Sequence, residues 1–266
     1  MHGMEVDYYK KLFQTIGNII VLIEKDDIPK YLLFLENAFP YMDNYNYYKG
    51  MNGIIQELAG LLKTKNIGTD SDRALLLDFQ ATLETKPEKA IKLEKDALAQ
   101  IENITADNAR LVSNLHANLG GLYRMNGHPD LAREHMEKSI SLLDQFNLLH
   151  INDSIPQIAN YAMFLTEQQE PERGISELQK LSGIIKEYHS DDCLDYAKVQ
   201  ETLGTIYLMT ANLPQAKTHF KKAFKIYEKI WADEPEMIEA KYQEIQELYP
   251  QIGFCIGKNL SGLLTK

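Results

Sequence analysis

Leu203-Gly204-Thr205-Ile206-Tyr207 is the stretch of this sequence that decides its fold. A near copy, Leu119-Gly120-Gly121-Leu122-Tyr123, lies 84 residues earlier, which is two steps of 42. The position midway between the glycines at 120 and 204 is Ala162. A small residue therefore recurs every 42 residues, and a fixed period of this length indicates an internal structural repeat.

The second half of each repeat keeps the same step. Three of its positions recur, in chain order: Ala132, Gly174 and Ala216; Met136, Leu178 and Phe220; Pro129, Pro171 and, one residue late, Pro214. A further step back reaches Pro87 and Ala90. Because the first residue of a helix needs no N–H partner within the helix, proline is favoured there, and each of these prolines predicts a helix start.

The chain as a whole is predicted to be all-α. Apolar residues recur at three- and four-residue spacing between short breaks that carry Pro, Gly, Asn or Asp, and strand signals are almost absent. Antiparallel helices pack closely where small residues meet, and the expected meeting points are Gly120 with Ala132 and Gly204 with Ala216. Since one hairpin cannot bury its own apolar face, the hairpins are expected to stack into an α-solenoid.

Leu203-Gly204-x-x-Tyr207, with Ala216, Phe220 and Ala223 after it, resembles the tetratricopeptide repeat motif. The 42-residue step is similar to the repeats of kinesin light chains and of many bacterial proteins. The resemblance covers about residues 71–249. It implies a right-handed superhelix of helix hairpins that binds other proteins, and it implies no catalytic chemistry.

Three parts of the chain are predicted from this register. Residues 1–70 form a divergent N-terminal helical cap or a degenerate repeat, with helices at about 5–25, 29–40 and 46–63. Residues 71–249 form the repeat array, with units that start near 71, 113, 155 and 197 and an incomplete unit near 239. Residues 250–266 form a tail that docks on the preceding hairpin, because the run from Gln251 to Gly257 is apolar.

The charge balance limits the kinds of partner. The 266 residues include 28 Lys and Arg against 38 Asp and Glu, a formal net charge of −10, which argues against nucleic acid or an anionic membrane as the main partner. The most apolar early run, Ile19 to Ile23, is too short for a secretory signal or a membrane span, which predicts a cytoplasmic protein. Two cysteines exclude a disulfide framework.

The sequence shows no catalytic constellation. It lacks a glycine-rich phosphate loop, a G-x-S-x-G elbow and an H-E-x-x-H metal motif. No two of its seven histidines have the four-residue spacing of a helical metal site. We therefore predict no enzyme activity, no catalytic residue, no metal and no cofactor.

The residues predicted to contact a peptide lie on the first helices of the hairpins, which line the groove in such arrays. Asn118 and Asn160 are 42 residues apart, and the resemblance to kinesin-light-chain-like repeats implies that such asparagines hold peptide backbone. The alternative for both is a structural bond to a neighbouring helix, and the third equivalent position is Thr202. The other predicted groove residues are Asn114, Gly121, Arg124, Met163, Glu167, Lys198, Glu201, Thr205 and Met209.

These features predict a non-catalytic scaffold or adaptor that binds a protein or peptide partner in its groove. Two alternatives stay open. One is a regulatory sensor in which a peptide or a small signal changes the superhelix, and the other is a homodimer that assembles through the C-terminal run or a tyrosine-rich turn. That turn, Tyr41 to Tyr48, holds four of the 15 tyrosines, and packing on the first hairpin is the simpler explanation for it.

Overall fold

The computed structural model describes residues 27–35, 48–151 and 154–248. Within these ranges residues 28–35 are helical, ten further helices follow and no strand occurs. The helices are α1 Tyr48–Lys65, α2 Asp70–Leu83, α3 Pro87–Leu98, α4 Ala109–Met125, α5 Pro129–Gln145, α6 Ser154–Glu167, α7 Pro171–Tyr188, α8 Leu194–Met209, α9 Leu213–Ile230 and α10 Pro235–Leu248. The predicted helix at 5–25, most of the turn at 41–48 and the tail at 250–266 lie outside the described ranges.

The helices pack as successive hairpins, which confirms the predicted all-α solenoid class. The chain divides into two units, Met1–His135 and Met136–Lys266, with the boundary inside α5. In unit 1, α2 packs on α3, and α3 also contacts α4. In unit 2, α6 packs on α7, α8 packs on α9, and α10 contacts α9. The division of the chain into cap, array and tail stays a prediction.

The core of unit 2 is shared between its hairpins. One cluster of buried side chains takes members from every helix of the unit, including Ile158 of α6, Leu181 of α7, Val199 of α8, Phe220 of α9 and Ile238 of α10. In unit 1 the stretch at 28–35, α1 and α2 form a second cluster. Burial therefore comes from stacking, as expected for hairpins too thin to enclose a core alone.

Helix starts follow the prolines and their neighbouring caps. Helices α3, α5 and α7 each begin at a proline, as the sequence predicts. Helix α9 begins instead at Leu213, because Asn212 caps it: Oδ1 of Asn212 accepts a hydrogen bond from the N–H of Gln215 at 3.4 Å. Pro214 is then the second residue of the helix, which explains why it comes one position late.

The turn between the two helices of a hairpin is built in the same way three times. Gly127, Gln169 and Ala211 are 42 residues apart and have left-handed φ angles of 74°, 66° and 59°. The next N–H in each case donates back to the last turn of the first helix: His128 to Tyr123 at 2.9 Å, Glu170 to Leu165 at 2.8 Å and Asn212 to Tyr207 at 2.8 Å. This is the Schellman ending, and it satisfies carbonyls that the helix leaves unpaired.

The two helices of a hairpin approach most closely at the recurring small residues. A Cβ atom added to Gly174 of α7 would lie 2.6 Å from the carbonyl oxygen of Ala162 in α6. A Cβ added to Gly204 of α8 would lie 3.0 Å from the Phe220 ring in α9. The nearest neighbour of Gly204 is thus Phe220, one turn beyond the predicted Ala216, since the ring fills the space that the glycine leaves.

We expect Gly174→Ala to lower the free energy of unfolding by about 1–3 kcal/mol, because backbone on both helices must move to admit the methyl group. The matched control is Gly183→Ala on the same helix, where an added Cβ meets no atom within 4 Å. The control should raise stability by up to about 1 kcal/mol through helix propensity. Urea unfolding of the full chain measures both, and equal shifts of the same sign would contradict the close approach.

Candidate functional site

The predicted groove residues of unit 2 lie on α6 and α8, two first helices that contact each other. Asn160, Glu167 and Lys198 are exposed, whereas Met163 and Thr205 are half-buried. Met209 ends α8 and is 41% exposed. The two helices thus carry an amide, two opposite charges and two methionines. We call the following residues the first-helix face of unit 2: Asn160, Met163, Glu167, Lys198, Thr205 and Met209.

Glu201, also predicted to line the groove, is held by the helices that follow it. Its Oε2 accepts a hydrogen bond from the Tyr227 hydroxyl of α9 at 2.6 Å, and its Oε1 lies 3.0 Å from Nζ of Lys241 in α10. Burial and the nearby Glu201 carboxylate raise the pKa of Tyr227. Burial would lower the pKa of Lys241, but Glu201 and Glu244 raise it above its ordinary value. Glu201 therefore ties α8 to α9 and α10.

In unit 1 the predicted groove residues lie on α4. Asn114, Gly121 and Arg124 are half-buried and Asn118 is exposed. The amide nitrogen Nδ2 of Asn118 donates to Oδ1 of Asp78 on α2 at 2.8 Å. In this structure Asn118 makes the bond to a neighbouring helix that the sequence analysis gave as its alternative role.

A Tyr–His contact that the sequence analysis missed recurs on the hairpins. The ring of Tyr123 lies 5.4 Å from that of His135, and the ring of Tyr207 lies 5.3 Å from that of His219 and nearly parallel to it. Each tyrosine and each histidine is 84 residues from its counterpart, so the signal was present in the sequence. In both hairpins a side chain of the first helix also hydrogen-bonds to the imidazole. His116 Nδ1 lies 2.8 Å from His135 Nδ1, and Gln200 Oε1 lies 2.9 Å from His219 Nδ1.

His219 borders a cleft of about 280 Å³ between α7, α8 and α9, whose lining includes Gln200, Lys186 and Lys222. Gln200 is only 2% exposed and is satisfied, since its Nε2 donates to Ser182 at 3.2 Å. Burial, and then the charge of Lys222, lower the pKa of His219 to about 4. The imidazole is therefore neutral at physiological pH and acts as a packing and hydrogen-bonding group.

Within the described part of the chain, no three His, Cys, Asp or Glu side chains are arranged to hold a metal ion. None of the helices described there is both long enough and apolar enough to cross a bilayer.

Comparison with known proteins agrees with the repeat geometry. The family model of the tetratricopeptide repeat matches residues 154–229, which are α6 to α9. A single-residue variant of the nearly identical TPR-like repeats of a Podosopora anserina kinesin light chain is 13% identical, covers 79% of this chain and 99% of its own, and has a TM-score of 0.62. BtubC (BKLC) from P. vanneervenii is 15% identical, covers 89% of this chain and 92% of its own, and has a TM-score of 0.55. No curated protein sequence matches the chain significantly.

Residues 154–229 therefore match the tetratricopeptide repeat family, and the fold of the chain is similar to that of kinesin-light-chain-like repeats. The fold is in general a scaffold for protein interaction, and proteins built from it are typically non-catalytic.

The neutral His219 predicts a pH dependence of stability. Its pKa is about 4 when folded against an ordinary value of 6.5, so the unfolded chain binds more protons between these values. Neutral His219 therefore makes its full contribution to folding stability above about pH 6.5, and this contribution is lost as the pH falls toward about 4. We expect His219→Gln, which keeps a donor for Gln200 and cannot ionise, to lose less stability than wild type over this window. Urea unfolding across that range measures it, and parallel curves for the two proteins would contradict it.

Proposed function

We propose that this protein is a non-catalytic cytoplasmic scaffold that binds a peptide or protein segment on the first-helix face of unit 2. One observation carries the proposal. Two first helices in contact carry exposed Asn160, Glu167 and Lys198 together with Met163 and Met209, while other residues of both helices are buried in a shared core.

The chemistry of this face suits an extended segment of mixed character. The Asn160 amide can both donate to and accept from a peptide backbone. Lys198 and Glu167 offer one charge of each sign, and Lys198 lies 3.7 Å from Asp195 on its own helix, an exposed pairing that a ligand carboxylate can replace. Methionine side chains adapt to apolar groups of different shape, which suits Met163 and Met209 to a varied partner.

The face is held rigid by the contacts behind it. Glu201 joins α8 to Tyr227 and Lys241, and the close approach of Gly174 to Ala162 sets α6 against α7. A surface already fixed before binding loses little conformational entropy when it binds. The partner segment bears most of the ordering entropy, so we expect moderate affinity.

The proposal is tested by selecting random peptides against the full chain and measuring affinity by calorimetry. Asn160→Ala with Lys198→Ala should weaken the selected peptides about tenfold or more, the loss of about 1.4 kcal/mol expected from removing central contacts. Both side chains are exposed, so the thermal midpoint should stay within about two degrees of wild type.

The matched control, Ser176→Ala with Lys221→Ala, removes two exposed side chains from the second helices α7 and α9. It should leave peptide affinity unchanged. Equal losses in both variants, or none in either, would contradict a site on the first-helix face. Light scattering on the same samples tests self-association, and a dimer with no selected peptide would favour the homodimer alternative.

A further inference from the structure

The hairpin of α2 and α3, the first of the four hairpins in the 42-residue register, lacks the packing seen in the fourth, which is formed by α8 and α9. In the fourth hairpin the small residue Gly204 packs against the ring of Phe220. Three steps of 42 earlier, the same two positions hold Asp78 on α2 and Glu94 on α3. A glycine and a large apolar residue are thus replaced by two acids at the equivalent positions.

Glu94 is buried with one oxygen unsatisfied, and it pairs with Asp78, which is half-buried. Glu94 is 1% exposed and hydrogen-bonds to Asp78, while its Oε2 has no partner. Asn118 of α4 donates to Asp78 at 2.8 Å and also hydrogen-bonds to Glu94. Next to Glu94 on its own helix, Lys95 lies 5.5 Å from the ring centroid of Tyr123. Asp78 is therefore the charged group that faces Glu94 from α2, and the Asn118 amide faces it from α4.

Such an arrangement lowers the stability of the hairpin. A buried acceptor without a partner is unfavourable by about 1–3 kcal/mol, and a buried carboxyl pair is worse than apolar side chains of similar volume. Burial, and then the charge of Asp78, raise the pKa of Glu94 well above its ordinary value, so that it holds a proton at neutral pH. Groups kept in such surroundings are more often found at functional sites than elsewhere.

The missing partner is a positively charged hydrogen-bond donor. An ammonium or guanidinium group supplies several N–H donors and a positive charge beside the two carboxyl groups, whereas the amide of Asn118 is neutral. A metal ion fits less well, since two carboxylates and one amide form a small donor set and the described residues hold no group of three metal-type ligands. The net charge of −10 also favours a basic partner.

We propose that Asp78, Glu94 and Asn118 form a subsite in unit 1 for a lysine or arginine side chain of a peptide, an inference that rests on the proposal that this protein binds peptides. Access is through Asn118, the exposed member of the three. Rotation of its side chain withdraws the amide from the carboxyls, and the N–H groups of the ligand take its place.

Binding at this subsite is coupled to proton release. A cation beside Glu94 stabilises the carboxylate, so the proton that Glu94 holds in the free protein leaves on binding. Affinity therefore rises as the pH is raised, because the unbound form carries the extra proton. A purely structural carboxyl pair would show no such linkage to a peptide.

The test selects random peptides against the full chain and measures the tightest by calorimetry in two buffers of different ionisation enthalpy. We expect the selected peptides to share a Lys or Arg whose replacement by Gln weakens binding about tenfold or more. Wild type should release protons when the basic peptide binds. Glu94→Gln should release none and should discriminate poorly between the basic peptide and its Gln counterpart.

A second variant keeps the test valid if Glu94→Gln folds poorly. Asp78→Ala with Glu94→Leu copies the residues of the third hairpin, Ala162 and Leu178, and should unfold at a higher temperature than wild type while losing the preference for basic peptides. Because this double variant is expected to be more stable than wild type, a lost preference for basic peptides would reflect lost recognition and not unfolding.

Three results would overturn the subsite. The first is that the selected peptides share no basic residue, or that neither variant changes their affinity. In that case the proposed function still stands if Asn160→Ala with Lys198→Ala weakens binding of the same peptides. The second is binding of Ca²⁺ or Mg²⁺ without peptide that Glu94→Gln abolishes, which would make it a metal site. The third is failure to select any peptide, which would overturn the proposed function as well.

Discussion

The close approach of two helices at recurring small residues is the constraint on which the rest of the structure depends. Gly174 leaves no room for a methyl group against the backbone of Ala162, and Gly204 admits the ring of Phe220. This spacing lets thin hairpins interlock and share one core, as they do in unit 2. The hairpin of α2 and α3 departs from this pattern, with Asp78 and Glu94 at the positions that Gly204 and Phe220 occupy in α8 and α9.

Most of the fold could be predicted from the sequence because it depends on local and periodic signals. The helix starts are marked by prolines, and the hairpin order follows from the 42-residue step. The turns were harder to predict. Gly127 is an ordinary residue for a left-handed φ, but Gln169 and Ala211 adopt the same conformation without any signal in their side chains. Only their register with Gly127 reveals them, which shows that the repeated turn overrides individual preference.

The candidate site was less predictable because side-chain partners on different helices depend on helix rotation and packing. The sequence placed Asn118 and Glu201 on first helices, but it could not show that Asn118 bonds to Asp78 or that Glu201 is held by Tyr227 and Lys241. Asn160 and Lys198 differ from them because, among the described residues, neither is tied to another helix in this way. Composition and spacing alone do not separate the two groups.

The central claim is that each hairpin is held by its own close approach, and hydrogen exchange tests it most directly. Gly204→Val places a branched side chain against Phe220, and amide exchange followed by mass spectrometry reports each helix separately. We expect α8 and α9 to lose protection while α2 and α3 keep theirs, since repeats depend mainly on their nearest neighbours. Unchanged protection in α8 and α9, or an equal loss in every helix, would contradict it.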